Sequence, residues 1–153
     1  MTTKRLLITY YSGTGKTKLM AEEICKGARR LGISVEMKRV EKCSLDNLVE
    51  ADGIIIGSPT YFNNVAWQVK KLIDELIGLY RNKQLAGKVG GCFTSAGNRS
   101  NGEDCIKMME LAFGLHHKLR MVPGIVSASG EREEEVSKMC QEYGMKIAEK
   151  LVS

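Results

Sequence analysis

"YSGTGKTKLM", residues 11–20, sets a loop of glycines and hydroxyls between an apolar run and a segment of helical pattern. The spelling invites comparison with the nucleoside triphosphate loop G-x-x-x-x-G-K-[ST], whose amides wrap phosphates while its hydroxyl binds Mg²⁺. Laying Gly15-Lys16-Thr17 on that pattern puts Tyr10 where the first glycine is required. The Mg²⁺ chemistry also needs an acidic residue at the end of another strand. The best such strand, "DGIIIGSP" (52–59), ends in Gly57-Ser58-Pro59 instead. The stretch is therefore not read as an NTPase loop. Hydroxyls on Ser12, Thr14 and Thr17, with the amides of Gly13 and Gly15 at the mouth of a helix, suit one compact phosphate dianion held without a metal. Lys16 either pairs with that phosphate or faces solvent.

Outward from this loop, short β-rich runs alternate with longer segments of helical period. That alternation predicts βαβ units around a parallel sheet. Strands are expected over 5–11, 34–40, 53–58, 88–95 and 120–129, with Pro123 marking an edge position or a bulge. Helices are expected through Ala21–Leu31, Ser44–Ala51, Val65–Leu76, Ile106–Phe113 and Val136–Ile147. The sum is a three-layer α/β/α sandwich with a five-stranded parallel sheet in the order 2-1-3-4-5. Ligands in such sheets sit beyond the carboxyl ends of the strands, where the strand order reverses. Three loops rich in Gly, Ser, Thr and Asn fall there: 12–17, 58–64 and 94–103. A response regulator shares the topology but needs acidic residues after strands one and three, and this chain has none there.

The 153 residues are read as one domain, 1–153, with a hydrophobic share of 43% that matches the soluble globular norm. No apolar run reaches membrane-spanning length and no signal peptide precedes the first strand, so no membrane partner is expected. Five scattered cysteines without a C-x-x-C pair imply reduced thiols, no metal site and a cytoplasmic location. The formal charge of +5 is spread as basic pairs, among them Arg29-Arg30 and Lys70-Lys71. With no nucleic-acid motif or aromatic-laced basic stripe, no nucleic-acid partner is expected.

The loop residues also carry a family likeness. The S-x-T-G-x-T pattern of 12–17 resembles the phosphate loop of flavodoxins, which holds the monophosphate of FMN. "GSPTYFNNVAWQVKKLIDEL" (57–76) resembles the corresponding segment of the WrbA-type NAD(P)H:quinone oxidoreductases, a flavodoxin-fold family with a P-T-[aromatic or Arg]-F-G-N run. "FTSAGNRSNGED" (93–104) resembles that family's F-[ST]-S-T-G loop, and the likeness extends from Leu7 to about Leu151. It implies FMN as cofactor, with Pro59, Thr60, Tyr61, Phe62, Asn63 and Asn64 along one side of the ring. Thr94, Ser95, Ala96, Gly97, Asn98 and Arg99 would lie along the other. Asn63 stands where the family has glycine, and Arg99 departs from a glycine-rich stretch; Arg99 either stabilises reduced flavin or points into solvent.

The same likeness implies that Tyr80 borders a quinone pocket and that His117, in "LHHKLRMV" (115–122), approaches the flavin as the candidate catalytic pair. The alternative is a surface tyrosine ending a helix and a histidine on a turn. Two functions follow. In one, NAD(P)H delivers electrons through FMN to a quinone or similar acceptor. In the other, FMN shuttles electrons between redox protein partners. Residues 94–103 hold no aromatic to cover the flavin, and the basic charge is opposite to that of acidic flavodoxins. Both points favour the enzyme, and a homo-oligomer is possible.

Overall fold

The computed structural model describes residues 3–153. Strand β1 (Arg5–Tyr10) lies in the middle of a parallel sheet, flanked by β2 (Ser34–Arg39) and β3 (Gly53–Tyr61). On the far side of β3 runs β5 (Val89–Ala96), and beyond it two short segments, β6 (Arg120–Met121) and β7 (Ile125–Ala128), share the last position. The order is thus the expected 2-1-3-4-5, with the fifth position split. A further two-residue strand, β4 (Asn64–Val65), folds back antiparallel on the end of β3.

Period-two alternation divides the core between two layers of helices. Leu6, Ile8, Tyr10, Ile55 and Phe93 pack against α1 (Lys16–Arg29) and α6 (Glu133–Val152). Leu7, Ile54, Ile56 and Cys92 share the opposite core with α2 (Leu45–Glu50), α3 (Trp67–Glu75) and α5 (Arg99–Glu110). A short α4 (Ile77–Tyr80) follows α3, and a π-helical turn over Leu111–His116 extends α5. Helices α1 and α6 approach closely because Gly27 and Gly144 lie at their contact. A Cβ on Gly27 would stand 2.0 Å from the Gln141 carbonyl oxygen, and one on Gly144 2.0 Å from that of Ile24.

The predicted strand over 120–129 is broken at Pro123-Gly124, and the break has a specific repair. Opposite the gap, the amide of Cys92 has lost its partner in the ladder. The buried hydroxyl of Tyr143, on α6, accepts from that amide at 3.0 Å and donates to the Val122 carbonyl at 3.0 Å. The amide of Gly124 donates to Glu110 Oε2 at 3.1 Å. Burial pushes the Tyr143 phenol far above its ordinary pKa, so it keeps the proton it donates. Tyr143→Phe should therefore lower the unfolding free energy by about 2 kcal/mol, since two buried backbone groups lose their partner. Urea denaturation measures it, and an unchanged midpoint would refute the bridging role.

Candidate functional site

The first loop leaves β1 and enters α1 through Gly15, whose φ of 103° places it in the left-handed region and which has open space on its Cβ side. Ser12 Oγ accepts the amides of Gly15 at 3.1 Å and Lys18 at 3.2 Å, which fixes the turn. The amides of Gly13, Thr14, Lys16 and Thr17 have no acceptor among the described residues. Helix α1 carries no acidic residue in its first turn, so nothing offsets the partial positive charge at its start. Arg39, at the end of β2, donates to the Ser12 carbonyl at 3.0 Å, with its guanidinium 5.4 Å from the centre of the Tyr11 ring. Four unused amides and a helix start make an anion cradle, braced by Arg39, whose guanidinium is paired with Glu41 at 3.1 Å.

The second loop is a tight hairpin. Thr60 pairs with Val65 and Tyr61 with Asn64, leaving Phe62 and Asn63 as the two turn residues. Their φ values, 51° and 64°, are both in the left-handed region, as a type I′ turn demands. Asn63 holds its left-handed φ of 64° while its side-chain amide donates to Asp104 Oδ2 at 2.8 Å. Ser58 Oγ accepts from the Ala66 amide at 2.9 Å and ties the hairpin base to the start of α3. Tyr61 leans over the first loop: a Cβ on Gly13 would meet its hydroxyl at 2.8 Å. A side chain at position 13 would push the half-exposed Tyr61 hydroxyl aside. Phe62 is 100% exposed and Trp67 70% exposed, so the outer side of the hairpin is an aromatic rim open to solvent.

The third loop ties the other two together. Ser95 Oγ lies 2.9 Å from Thr17 Oγ1, and Thr94 Oγ1 lies 2.7 Å from Thr60 Oγ1. Gly97 faces open space, and Asn98 caps α5 by accepting the Asn101 amide at 2.8 Å. Arg99 is half-exposed and its charge is shared with a carboxylate. It pairs with Glu131 at 2.6 Å and reaches the Val126 carbonyl at 3.4 Å, on the side of the fifth strand position. Pro59, Thr60, Tyr61, Asn63 and Asn64 thus stand with Thr94–Asn98 around one end of the sheet, beside the cradle.

Tyr80 and His117 are brought together, but elsewhere. Their rings meet edge to face with centres 5.6 Å apart, and the His116 ring lies 6.5 Å from Tyr80. Tyr80 precedes β5 and His117 precedes β6, so both lie at the amino ends of the strands, where the Gly87 amide donates to the Lys118 carbonyl at 2.9 Å. The three loops follow the carboxyl ends. The length of β5 separates the two places by roughly 20 Å. The expectation that Tyr80 and His117 line the pocket of the three loops is corrected for a single chain, because a parallel sheet sends its two sets of connections to opposite ends. Three contributors had no motif to announce them: Arg39 at the cradle, Asp104 holding Asn63, and Glu131 holding Arg99.

An open parallel sheet with an anion cradle at its order reversal and two turn-borne walls beside it defines a flavodoxin-like protein. Residues 10–134 match the model of the NADPH-dependent FMN reductases, and the chain belongs to that family. A flavodoxin of Aquifex aeolicus is 31% identical over 95% of this chain and 85% of its own length. NAD(P)H dehydrogenase (quinone) 3 of Rhizobium meliloti is 31% identical over 73% of this chain, and the match spans 62% of that relative. The solved WrbA-like flavodoxin of Agrobacterium tumefaciens shares the fold, with a TM-score of 0.84 at 24% identity over 98% of each chain. Membership brings FMN as the cofactor, and the residues present fit it. The four unused amides suit its phosphate, and a Cβ on Gly97, in the third loop, would meet nothing within 4 Å.

Two measurements check this description. Phe62 holds a left-handed conformation with no burial in return, so Phe62→Asn should raise the unfolding free energy of the apo chain by about 1 kcal/mol. Equilibrium urea unfolding reads the change, and a loss of stability would contradict it. Burial, aided by His116, lowers the His117 pKa below the ordinary 6.5. A group depressed in the fold contributes stability that is complete above its unfolded pKa and is lost as pH falls through the folded value. The urea midpoint should therefore decline on acidification below 6.5, and His117→Phe should flatten that decline.

Proposed function

We propose that this protein is an FMN-dependent oxidoreductase that takes electrons from NAD(P)H and passes them to a quinone or similar small acceptor. The observation that carries the reading is the cradle, whose unused amides at Gly13, Thr14, Lys16 and Thr17 surround a left-handed Gly15. FMN supplies the hydride and electron chemistry that side chains cannot perform. The protein's own part is to hold and expose it. The amides of the first loop would grip the phosphate, with the α1 start offsetting its charge and Arg39 bracing the loop. The hairpin of Thr60–Asn64 and the turn of Thr94–Asn98 would flank the ring. Because 94–103 carries no aromatic, that side stays open to a small donor. The net charge of +5 draws in an anionic nicotinamide nucleotide.

The reading places the protein in the cytoplasm, supported by five cysteines without a disulfide. It also allows a homo-oligomer, since Ile77 and Tyr80 stand exposed at the far end of the sheet. A second reading, an electron carrier between proteins, is favoured by the length over which the chain resembles a flavodoxin. Desalted protein should retain FMN, and Thr14→Glu should weaken retention roughly a hundredfold by setting a carboxylate against the phosphate. Steady-state oxidation of NADH and NADPH with a quinone acceptor separates the two functions: retention of FMN with no turnover from either donor leaves the carrier.

A further inference from the structure

Two phenols overlook the cradle, and only one of them, Tyr61, belongs to the loops read from the sequence. A Cβ on Gly13 would meet the Tyr61 hydroxyl oxygen at 2.8 Å and that of Tyr11 at 3.9 Å, so both oxygens face the same small space above Gly13. Among the described residues Tyr143 is the one tyrosine whose hydroxyl bonds to protein. The hydroxyls of Tyr11 and Tyr61 are therefore uncommitted. So is the Gly13 amide beside them.

Tyr11 is held where it stands. Its amide donates to the Gly57 carbonyl at 3.1 Å, and its half-buried ring packs against the core. The Arg39 guanidinium lies 5.4 Å from the centre of that ring. A phenol oxygen sits on the axis of its ring, so fixing the ring fixes the oxygen. Tyr61 comes from the other side, as the last residue of β3 at the base of the hairpin, and is half-exposed. One phenol thus belongs to the cradle's own strand end and the other to the ring wall.

A phosphate monoester presents three strong acceptor oxygens and close to two negative charges. The groups nearest to it are already partly engaged. Arg39 is bound to the Ser12 carbonyl and to Glu41. Ser12 Oγ holds the amides of Gly15 and Lys18, and Thr17 Oγ1 lies 2.9 Å from Ser95 Oγ. Four amides alone do not fill the acceptor capacity of three oxygens, each of which takes two or more donors. Two free phenols at the edge of the cradle are suited to the remainder, because a hydroxyl bonds a charged oxygen more strongly than a neutral one.

We infer that Tyr11 and Tyr61 are phosphate-binding residues, whose hydroxyls donate to the FMN phosphate from the Gly13 side of the cradle. Glycine at position 13 keeps that approach clear. The inference rests on FMN occupying the cradle, and it adds two side chains that the S-x-T-G-x-T pattern does not contain. Because Tyr61 also anchors the hairpin, a phosphate bound there ties the ring wall to the first loop.

The full chain, stripped of flavin, and its Tyr11→Phe and Tyr61→Phe variants are titrated with FMN and with riboflavin by quenching of flavin fluorescence. Inorganic phosphate is titrated separately by phosphorus NMR. Each variant should raise the Kd for FMN and for inorganic phosphate about tenfold. The Kd for riboflavin, which has no phosphate, should stay as in the parent, as should the circular dichroism spectrum. A variant whose FMN and phosphate affinities match the parent's removes that tyrosine from the phosphate site. Weakening of FMN and riboflavin in the same proportion overturns the inference, since it assigns the phenols to the rest of the flavin. Failure of the parent to bind FMN overturns the cofactor reading alone, and the phosphate titration then decides the role of the two hydroxyls by itself.

Discussion

Two hydroxyl pairs at the end of one strand hold the site in shape. Thr94 and Ser95 are successive residues of β5, so their side chains leave opposite faces of the sheet. Thr94 meets Thr60 of the hairpin at 2.7 Å, and Ser95 meets Thr17 of the cradle at 2.9 Å. Both residues are nearly excluded from water, where a hydroxyl without a partner is costly and one with a partner is well localised. A single dipeptide therefore fixes the distance between a phosphate site on one layer and a ring wall on the other. The register of β5 against β3, which sets Thr94 beside Ser58 and Ser95 beside Pro59, determines whether that clasp can close.

The charge arrangement follows from the same frame. The cradle needs a local excess of positive potential, and it has one without committing a charged side chain to the anion itself. Arg39 binds a carbonyl of the loop from behind and pairs with Glu41 at 3.1 Å, so it braces the loop while the amides and the α1 start supply the positive potential. Arg99, which sequence position alone would bring to the flavin, is drawn to Glu131 instead. The third loop is left with backbone groups and small side chains facing the ring space, in keeping with a site reached by small molecules.

Much of this was legible in the chain before any coordinates. Strands covered on both faces write continuous apolar runs, as in Ile54–Ile56, and helices write their faces at three- and four-residue steps, so element order and sheet topology could be read directly. The loops could be read because a cradle for phosphate demands Gly, Ser and Thr in one place. What escaped depended on contacts between residues distant in sequence. The hairpin lacks the Asn-Gly signature, and its turn is held by Asp104, forty-one positions beyond Asn63. Pro123 announced a defect in the last strand but not that Tyr143 would fill it. Family likeness matched Tyr80 and His117 by position, whereas a parallel sheet decides at which end each connection lies.

The split in that last strand bears on what the sheet presents to other chains. Open sheets expose two edges, each a template on which another chain can add a strand. Here one border is only two residues and then four residues long, kinked by a proline between them, with a tyrosine hydroxyl occupying the gap. The opposite border, β2, carries Glu36, Lys38 and Arg39 along its six residues. Neither offers the long, flat, uncharged run on which intermolecular β-pairing grows, so both rims of the sheet are blunted against a further strand.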